Sequence, residues 1–223
     1  AEPNKACLNK YGPLGTGCQH GIGHGLMEYF GPTRLSEALE SCKQTTQDNP
    51  LFGCSSGVFM EYNVPIVLSD TDAKNTARTL DTAHPDAPCS TIRDSNFRLS
   101  CYYELAQWWQ QSVDIKTQGL WCGKVPILKE RESCLLGVGN MVSVLSEYNP
   151  EKVQSACNNL NGASTITSCL TGGAWAAYSN PQVRSRAKEI CAMNSECSRS
   201  TVLICAYMPD SSKREECYKG NAL

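Results

Sequence analysis

The sequence predicts an all-α protein built from about six helical hairpins, each closed by a disulfide bond. Three observations support this fold class. Fourteen cysteines occur in 223 residues, they form pairs at a regular spacing, and glycine and Tyr-Pro marks recur after the pairs. Hairpins of roughly 35 residues are typical of solenoid repeats. They could stack as an open solenoid or close into a ring, within one domain spanning 1–223.

The cysteine spacing defines the repeat. Four pairs are 12 positions apart: Cys42 and Cys54, Cys89 and Cys101, Cys122 and Cys134, and Cys157 and Cys169. Cys7 and Cys18 are 11 apart, and Cys191 and Cys205 are 14 apart. The two remaining cysteines, Cys197 and Cys217, are assigned to each other. One bridge within each hairpin would stabilise it by roughly 3 kcal/mol through the entropy of the unfolded chain.

A glycine keeps the same position in four of the repeats. Gly21, Gly57, Gly137 and Gly172 each lie three residues after the second cysteine, in "CQHGIGHG", "CSSGVF", "CLLGVGN" and "CLTGGAW". Gly23 and Gly139 match in the same way. A glycine inside a helix costs about 1 kcal/mol relative to alanine. Its recurrence at one position therefore predicts that helices approach each other closely there.

Each repeat contains the signals of a short helix and a longer one. Asn149 before Pro150, and Asn180 before Pro181, are typical of an N-cap followed by the first helical residue, and each precedes about two helical turns. Segments such as "DSNFRLSCYYELAQWWQQS" and "RESCLLGVGNMVSVLSEY" space apolar residues by three and four. They predict helices of about four to five turns, with Asp94 or Ser95 as a cap in the first.

One link between repeats is longer than the others. Residues 63–88, "NVPIVLSDTDAKNTARTLDTAHPDAP", exceed the matching link elsewhere by roughly a dozen residues. Insertions of this kind emerge from solenoids as loops on one face, which is often the binding face. The segment is therefore predicted to be an insertion in the second repeat.

In repeat length and in having one staple per repeat, the chain resembles cysteine-stapled helical-repeat proteins of the Sel1-like and tetratricopeptide-like kind. The resemblance covers nearly the whole chain, although the sequence motifs of those families are absent. It implies a concave surface that binds a partner protein or a peptide without catalysis.

Composition limits the compartment and the partners. The net charge is −2 and no run of basic residues reaches five, which argues against a nucleic-acid partner. No apolar run approaches the roughly 18 residues of a membrane span. Many paired cysteines indicate an oxidising compartment, so the chain is expected to be secreted, periplasmic or on the cell surface. Its start, Ala1-Glu2-Pro3, fits a signal peptide that has already been removed.

The stretch "GCQHGIGHGLMEY" offers a possible metal site. His20, His24 and Glu28 lie at i, i+4 and i+8, so a helix would project all three from one side. Two imidazoles and a carboxylate suit zinc, and the nearby Met27 would suit copper. The alternative is that His24 forms a hydrogen bond with a neighbouring repeat while His20 faces solvent.

Two groups of residues are candidates for ligand contact. His24, Gln107, Asn140 and Trp175 all lie six places after a second cysteine, and with Glu28 nearby they could line a solvated groove. Trp108 and Trp109 are adjacent on a predicted helix, so both cannot point to one buried stripe. One of them is predicted to face a ligand, a subunit or the insertion, because exposed tryptophan at an interface binds strongly.

Catalytic signatures are sparse. There is no GxSxG elbow, and a cysteine in a disulfide has no thiolate to act as a nucleophile. Glu28 and Glu61, both in "MEY", could form the carboxylate pair of a carbohydrate-active enzyme. The function that the sequence favours is instead binding or scaffolding, through a partner protein, a peptide or self-association of the repeats.

Overall fold

The computed structural model describes residues 6–7, 10, 16–44, 51, 53–64, 78–192 and 194–200. These residues include ten α-helices and no strand, which confirms the all-α prediction for this part of the chain. The helices are α1 (Thr16–Phe30), α2 (Leu35–Cys42), α3 (Cys54–Asn63), α4 (Ser95–Trp109), α5 (Ile115–Gly123), α6 (Leu128–Leu145), α7 (Pro150–Asn158), α8 (Ala163–Ser179), α9 (Arg186–Cys191) and α10 (Ser195–Ser200). Short 3-10 turns occupy Pro32–Arg34 and Cys89–Thr91. Within the described ranges, no helix combines the length and the apolar character that a membrane crossing requires.

The chain divides into two compact units, Ala1–Ser112 and Val113–Leu223. In the first unit, α3 packs against α1, α2 and α4. In the second unit, α8 packs against α6, α7, α9 and α10. The single domain expected from the sequence remains a prediction.

Five disulfides join cysteines that were predicted to pair from their spacing in the sequence. They are Cys7–Cys18, Cys42–Cys54, Cys89–Cys101, Cys122–Cys134 and Cys157–Cys169, with Cα atoms 5.5 to 5.7 Å apart. In the later hairpins, each bridge joins a short helical segment to the second turn of the long helix that follows. Cys122 and Cys157 lie at the ends of short helices, whereas Cys89 begins a 3-10 turn. The prediction of one staple within each hairpin is therefore confirmed for these five pairs.

The sixth bridge differs from the predicted one. Cys191 is bonded to Cys197, not to Cys205, so the assignment of Cys197 to Cys217 is also wrong. Helix α9 ends at Cys191 and α10 begins at Ser195, so a tight turn brings the two Cα atoms to 5.3 Å. Spacing alone could not anticipate this turn. Cys205 and Cys217 lie outside the described residues.

Two of the predicted helix caps are confirmed. The Asn149 side chain accepts a hydrogen bond from the backbone N–H of Lys152, and Pro150 is the first residue of α7. The Asp94 side chain accepts one from the N–H of Asn96 at the start of α4. The Asn180 side chain accepts a hydrogen bond from the N–H of Gln182, but the helix predicted to begin at Pro181 is wrong, because residues 181–185 form turns and α9 begins only at Arg186.

Glycines bring the long helices together in the same register in both units. A Cβ atom on Gly23 would collide with the carbonyl oxygen of Cys54, and one on Gly57 with that of His20. In the second unit, Gly139 meets the carbonyl of Cys169 and Gly172 meets that of Leu136. In both units the glycines lie five and three residues after the second cysteine of their repeats. The predicted close approach is thus present, although Gly21, at the first repeat's third position, is exposed and meets nothing.

Replacement of Gly23 by alanine tests this packing. The added methyl group would press on backbone atoms, which cannot rotate away, so we expect Gly23→Ala to lower the free energy of unfolding by about 3 kcal/mol. Gly21→Ala is the matched control on the same helix. It should raise stability by up to about 1 kcal/mol through helix propensity. Urea unfolding followed by circular dichroism measures both, and equal effects of the two substitutions would contradict the packing described.

Candidate functional site

Helix α1 directs two histidines toward α3, one turn apart. Nδ1 of His24 lies 2.8 Å from Oε2 of Glu61 on α3, and Nε2 of His24 lies 3.1 Å from Nε2 of His20. Glu61 is only 3% exposed, whereas both imidazoles are half-buried. The carboxylate and the two rings therefore form a continuous polar chain that runs from the helix interface toward the surface.

The glycine crossing is what positions this chain of groups. Gly57 of α3 packs against the carbonyl of His20 on α1. One turn further along both helices, the corresponding residues are Glu61 and His24, whose side chains meet at 2.8 Å. The second unit has the same crossing but not the same chemistry. There the positions of His20, His24, Gly57 and Glu61 are taken by Leu136, Asn140, Gly172 and Ala176.

Burial keeps His20 neutral. Desolvation, and next the proximity of His24, lower the pKa of His20 to about 4, while a hydrogen bond with the backbone of Gly53 opposes the shift. Nε2 of His20 faces Nε2 of His24 at 3.1 Å.

Glu28 does not join the two histidines as the predicted third metal ligand. It lies on the exposed side of α1, and the carboxylate that contacts His24 comes from Glu61. A spacing of eight residues on a helix accumulates a rotation away from the first residue, whereas a neighbouring helix can present its side chain directly. Within the described ranges, no group of three or more His, Cys, Asp or Glu side chains is arranged to hold a metal ion.

The same difference in exposure argues against Glu28 and Glu61 as a catalytic pair. Glu28 faces solvent, while the carboxylate of Glu61 is buried and held by His24. A glycosidase needs both carboxyl groups to reach one substrate in an open groove. The described arrangement does not favour that activity.

A second buried carboxyl group lies between α3 and α4. Ser56 and the side-chain amide of Gln107 each donate to one oxygen of Glu104, both at 2.5 Å. Glu104 is 1% exposed, and this burial raises its pKa to about 8, although the Ser56 hydrogen bond opposes the shift. The side chain is therefore protonated at neutral pH. Its importance was missed in the sequence, where a helical glutamate is usually exposed.

The two tryptophans are both buried, and of the three predicted neighbours, a ligand, a subunit or the insertion, it is the insertion that they contact. Trp108 is 6% exposed and Trp109 is fully buried. Their indole N–H groups donate to the carbonyls of Arg78 and Pro85, which belong to the insertion. The Arg78 guanidinium also stacks 3.8 Å from the centre of the Trp108 ring. Residues 78–88 of the insertion thus cover the face of α4 that carries both tryptophans, whereas 65–77 lie outside the described residues.

The predicted polar column is divided between the two units. His24 and Gln107 lie in the first unit and contact Glu61 and Glu104, respectively. Asn140 is half-buried on α6, and Trp175 is 8% exposed on α8. A shared groove lined by these residues remains a prediction.

The second unit contains an open cavity between α6, α8 and α10. Its volume is about 200 Å³, and its lining combines hydroxyl groups with two carboxylates: Glu132, Leu136, Ser164, Thr167, Ser168, Thr171 and Glu196. Thr167 accepts a hydrogen bond from Asn194 and donates to Glu196, so part of the lining is already paired. The spacing of cysteines and glycines contained no signal for this cavity.

Comparison of the chain with protein-family models, with curated proteins and with solved structures finds no match.

Replacement of Glu104 by glutamine tests the protonation state of the buried carboxyl group. Its folded-state pKa lies above its ordinary value, so the folded chain retains a proton that the unfolded chain releases. The contribution of Glu104 to stability should therefore fall as the pH rises from about 4.5 to about 8, by on the order of 4 kcal/mol. His20, whose pKa is lowered, acts in the opposite direction between about pH 4 and 6.5, so the test compares the wild type with a variant. In Glu104→Gln, whose amide can donate to Ser56 and accept from Gln107, the Glu104 contribution should be absent.

Urea unfolding of both proteins at several pH values within that window measures the difference. Glu28→Gln, on the exposed side of α1, is the control and should keep the wild-type dependence. The same pH dependence of stability in the wild type and in Glu104→Gln would refute protonation of Glu104.

Proposed function

We propose that this protein is an exported, disulfide-stapled helical solenoid that functions by binding a partner protein. The observation that carries the proposal is a set of exposed apolar side chains at one end of the α5–α6 hairpin. Leu120, Ile127 and Leu128 are 53%, 47% and 60% exposed. We call these three residues the hairpin-end surface.

The disulfide explains why these residues share one end of the hairpin. Cys122–Cys134 holds the end of α5 against the second turn of α6. Leu120 precedes the turn, and Ile127 and Leu128 follow it. Large aliphatic side chains gain about 1.5–3 kcal/mol each when they are fully buried, so a partner that covered all three would bind appreciably.

The charged residues around the hairpin-end surface indicate which charge the partner carries at its contact surface. Lys124 and Lys129 are exposed beside it. An apolar centre with a charged rim is typical of protein interfaces. The partner best suited to it has an apolar patch bordered by acidic residues.

The repeated register of the glycine contacts supports the solenoid architecture. The crossing of α1 with α3 and that of α6 with α8 use glycines at the same two offsets from the cysteines. Equivalent helices that pack in one register generate a stack when the repeat continues.

The disulfides support an oxidising location. The described residues contain six bridges and no free cysteine. Such bridges persist outside the cytosol and are rare within it. We therefore place the protein in a secreted, periplasmic or cell-surface setting, where the partner must also be found.

Photo-crosslinking at the hairpin-end surface tests the proposed function. A photoreactive residue at position 128 should form an adduct with one defined partner in the exported protein fraction of the source cells, or with a second copy of this chain. Leu120→Ser together with Leu128→Ser should weaken binding of the identified partner at least tenfold, because apolar area is lost.

Leu145→Ser is the matched control. Leu145 is 62% exposed and lies at the other end of α6, about 25 Å away along the helix. It should leave binding unchanged. Failure to form any adduct, or equal binding by the double variant and the wild type, would rule out the hairpin-end surface, and light scattering would separate self-association from binding to another protein.

A further inference from the structure

The hydrogen bond between His24 and Glu61 determines which ring nitrogen of His24 carries hydrogen. Nδ1 of His24 lies 2.8 Å from a carboxylate oxygen of Glu61, which only accepts hydrogen bonds when ionised. Nδ1 of His24 therefore carries hydrogen, and its Nε2 carries a lone pair in the neutral ring.

The two Nε2 atoms face each other at 3.1 Å. They can share a proton in a hydrogen bond between the rings, or each can give a lone pair to one metal ion. The directions of the two rings distinguish these cases.

We propose that His20 and His24 are ligands of one divalent transition-metal ion, of the zinc and copper class, bound at the surface of α1. Imidazole nitrogen is a preferred ligand of this class. Glu61 is the positioning group, because it accepts the N–H of the His24 ring and so fixes the tautomer and orientation of that ring. This carboxylate–histidine arrangement is the usual surrounding of metal-binding histidines. The site does not depend on the hairpin-end surface.

The spacing of the rings fits a shared ion. With metal–nitrogen distances of about 2.0–2.1 Å, nitrogens 3.1 Å apart subtend an angle of about 98° at the metal, between square and tetrahedral values. Two rings aimed at that point, with a radius of about 1.2 Å each, would have centroids about 4.9 Å apart. The observed separation is 4.8 Å, with the ring planes at 71°. A hydrogen bond aligned with both rings would separate the centroids by about 5.5 Å.

Solvent can reach the site and supply the other ligands. The His24 side chain is 15% exposed, while the Glu61 side chain is 2% exposed. No third His, Cys, Asp or Glu side chain completes a metal group within the described ranges, so the ion has two protein ligands of this class. Its remaining positions would be filled by water and open to an exogenous ligand.

Zinc titration of the intact, chelator-treated protein tests the proposal. Isothermal calorimetry with zinc chloride at pH 7.5 should give one ion per chain, and the affinity should fall as the pH is lowered because protons compete for Nε2. His24→Gln should lose this binding. Glu61→Gln should weaken it by about 10–100-fold, since the ring would lose its carboxylate partner.

The third histidine of the chain is the matched control. His84 is exposed and its Nδ1 lies 2.9 Å from Asp81, so it also pairs with a carboxylate but lacks a second imidazole. His84→Gln should bind zinc as the wild type does, and circular dichroism should show that all variants remain folded.

Imidazole NMR spectra of the wild type provide a readout that needs no variant. Zinc should shift the Nε2 resonances of two histidines and leave the third unchanged. The proposal is overturned if zinc does not bind, if His24→Gln binds it equally well, or if the spectra show a persistent imidazolium at position 24 in the presence of zinc.

Discussion

The disulfide between each short helical segment and the following long helix is the constraint on which the described fold depends. It joins residues only 11 or 12 positions apart in five hairpins. Each bridge sets which ends of the two segments lie together. It also lowers the entropy of the unfolded chain, which matters for short helices such as α2 and α7 that would be marginal alone. These bridges fix each hairpin locally, but they do not set how the long helices pack on one another.

Glycine determines how the long helices pack, because it has no side chain at the point where two helices cross. The backbones of α1 and α3, and those of α6 and α8, approach so closely that a methyl group would not fit. At such a crossing, residues one turn further along are also brought together. In the second unit they are Asn140 and Ala176, and in the first they are His24 and Glu61. The candidate site is therefore a local variation on a structural contact that the second unit also contains, and its geometry follows from that contact.

The first unit buries several polar side chains in the interfaces between its helices. Glu61, Glu104 and several serines lie in the interfaces of α3, where each carboxyl group is held by at least one hydrogen-bond donor. Buried polar groups are costly unless they are paired, but paired networks specify one arrangement of helices. The insertion extends this pattern, since Arg78 contacts Asn63, Tyr62 and Trp108 at once. Residues 78–88 of the insertion close over α4.

The sequence by itself determined the helical class, five of the disulfides, the caps at Asp94 and Asn149, and the close approach at the glycines. These features are local, or they repeat at a fixed period, so each is visible as a spacing along the chain. Only the tertiary structure decided that Glu61, and not Glu28, is the partner of His24, that Glu104 is buried, and that both tryptophans are covered. It also decided that Cys191 bonds to Cys197. The physical reason is that helical periodicity fixes the direction of a side chain about its own axis, whereas its partner depends on which neighbouring helix or loop is packed against it.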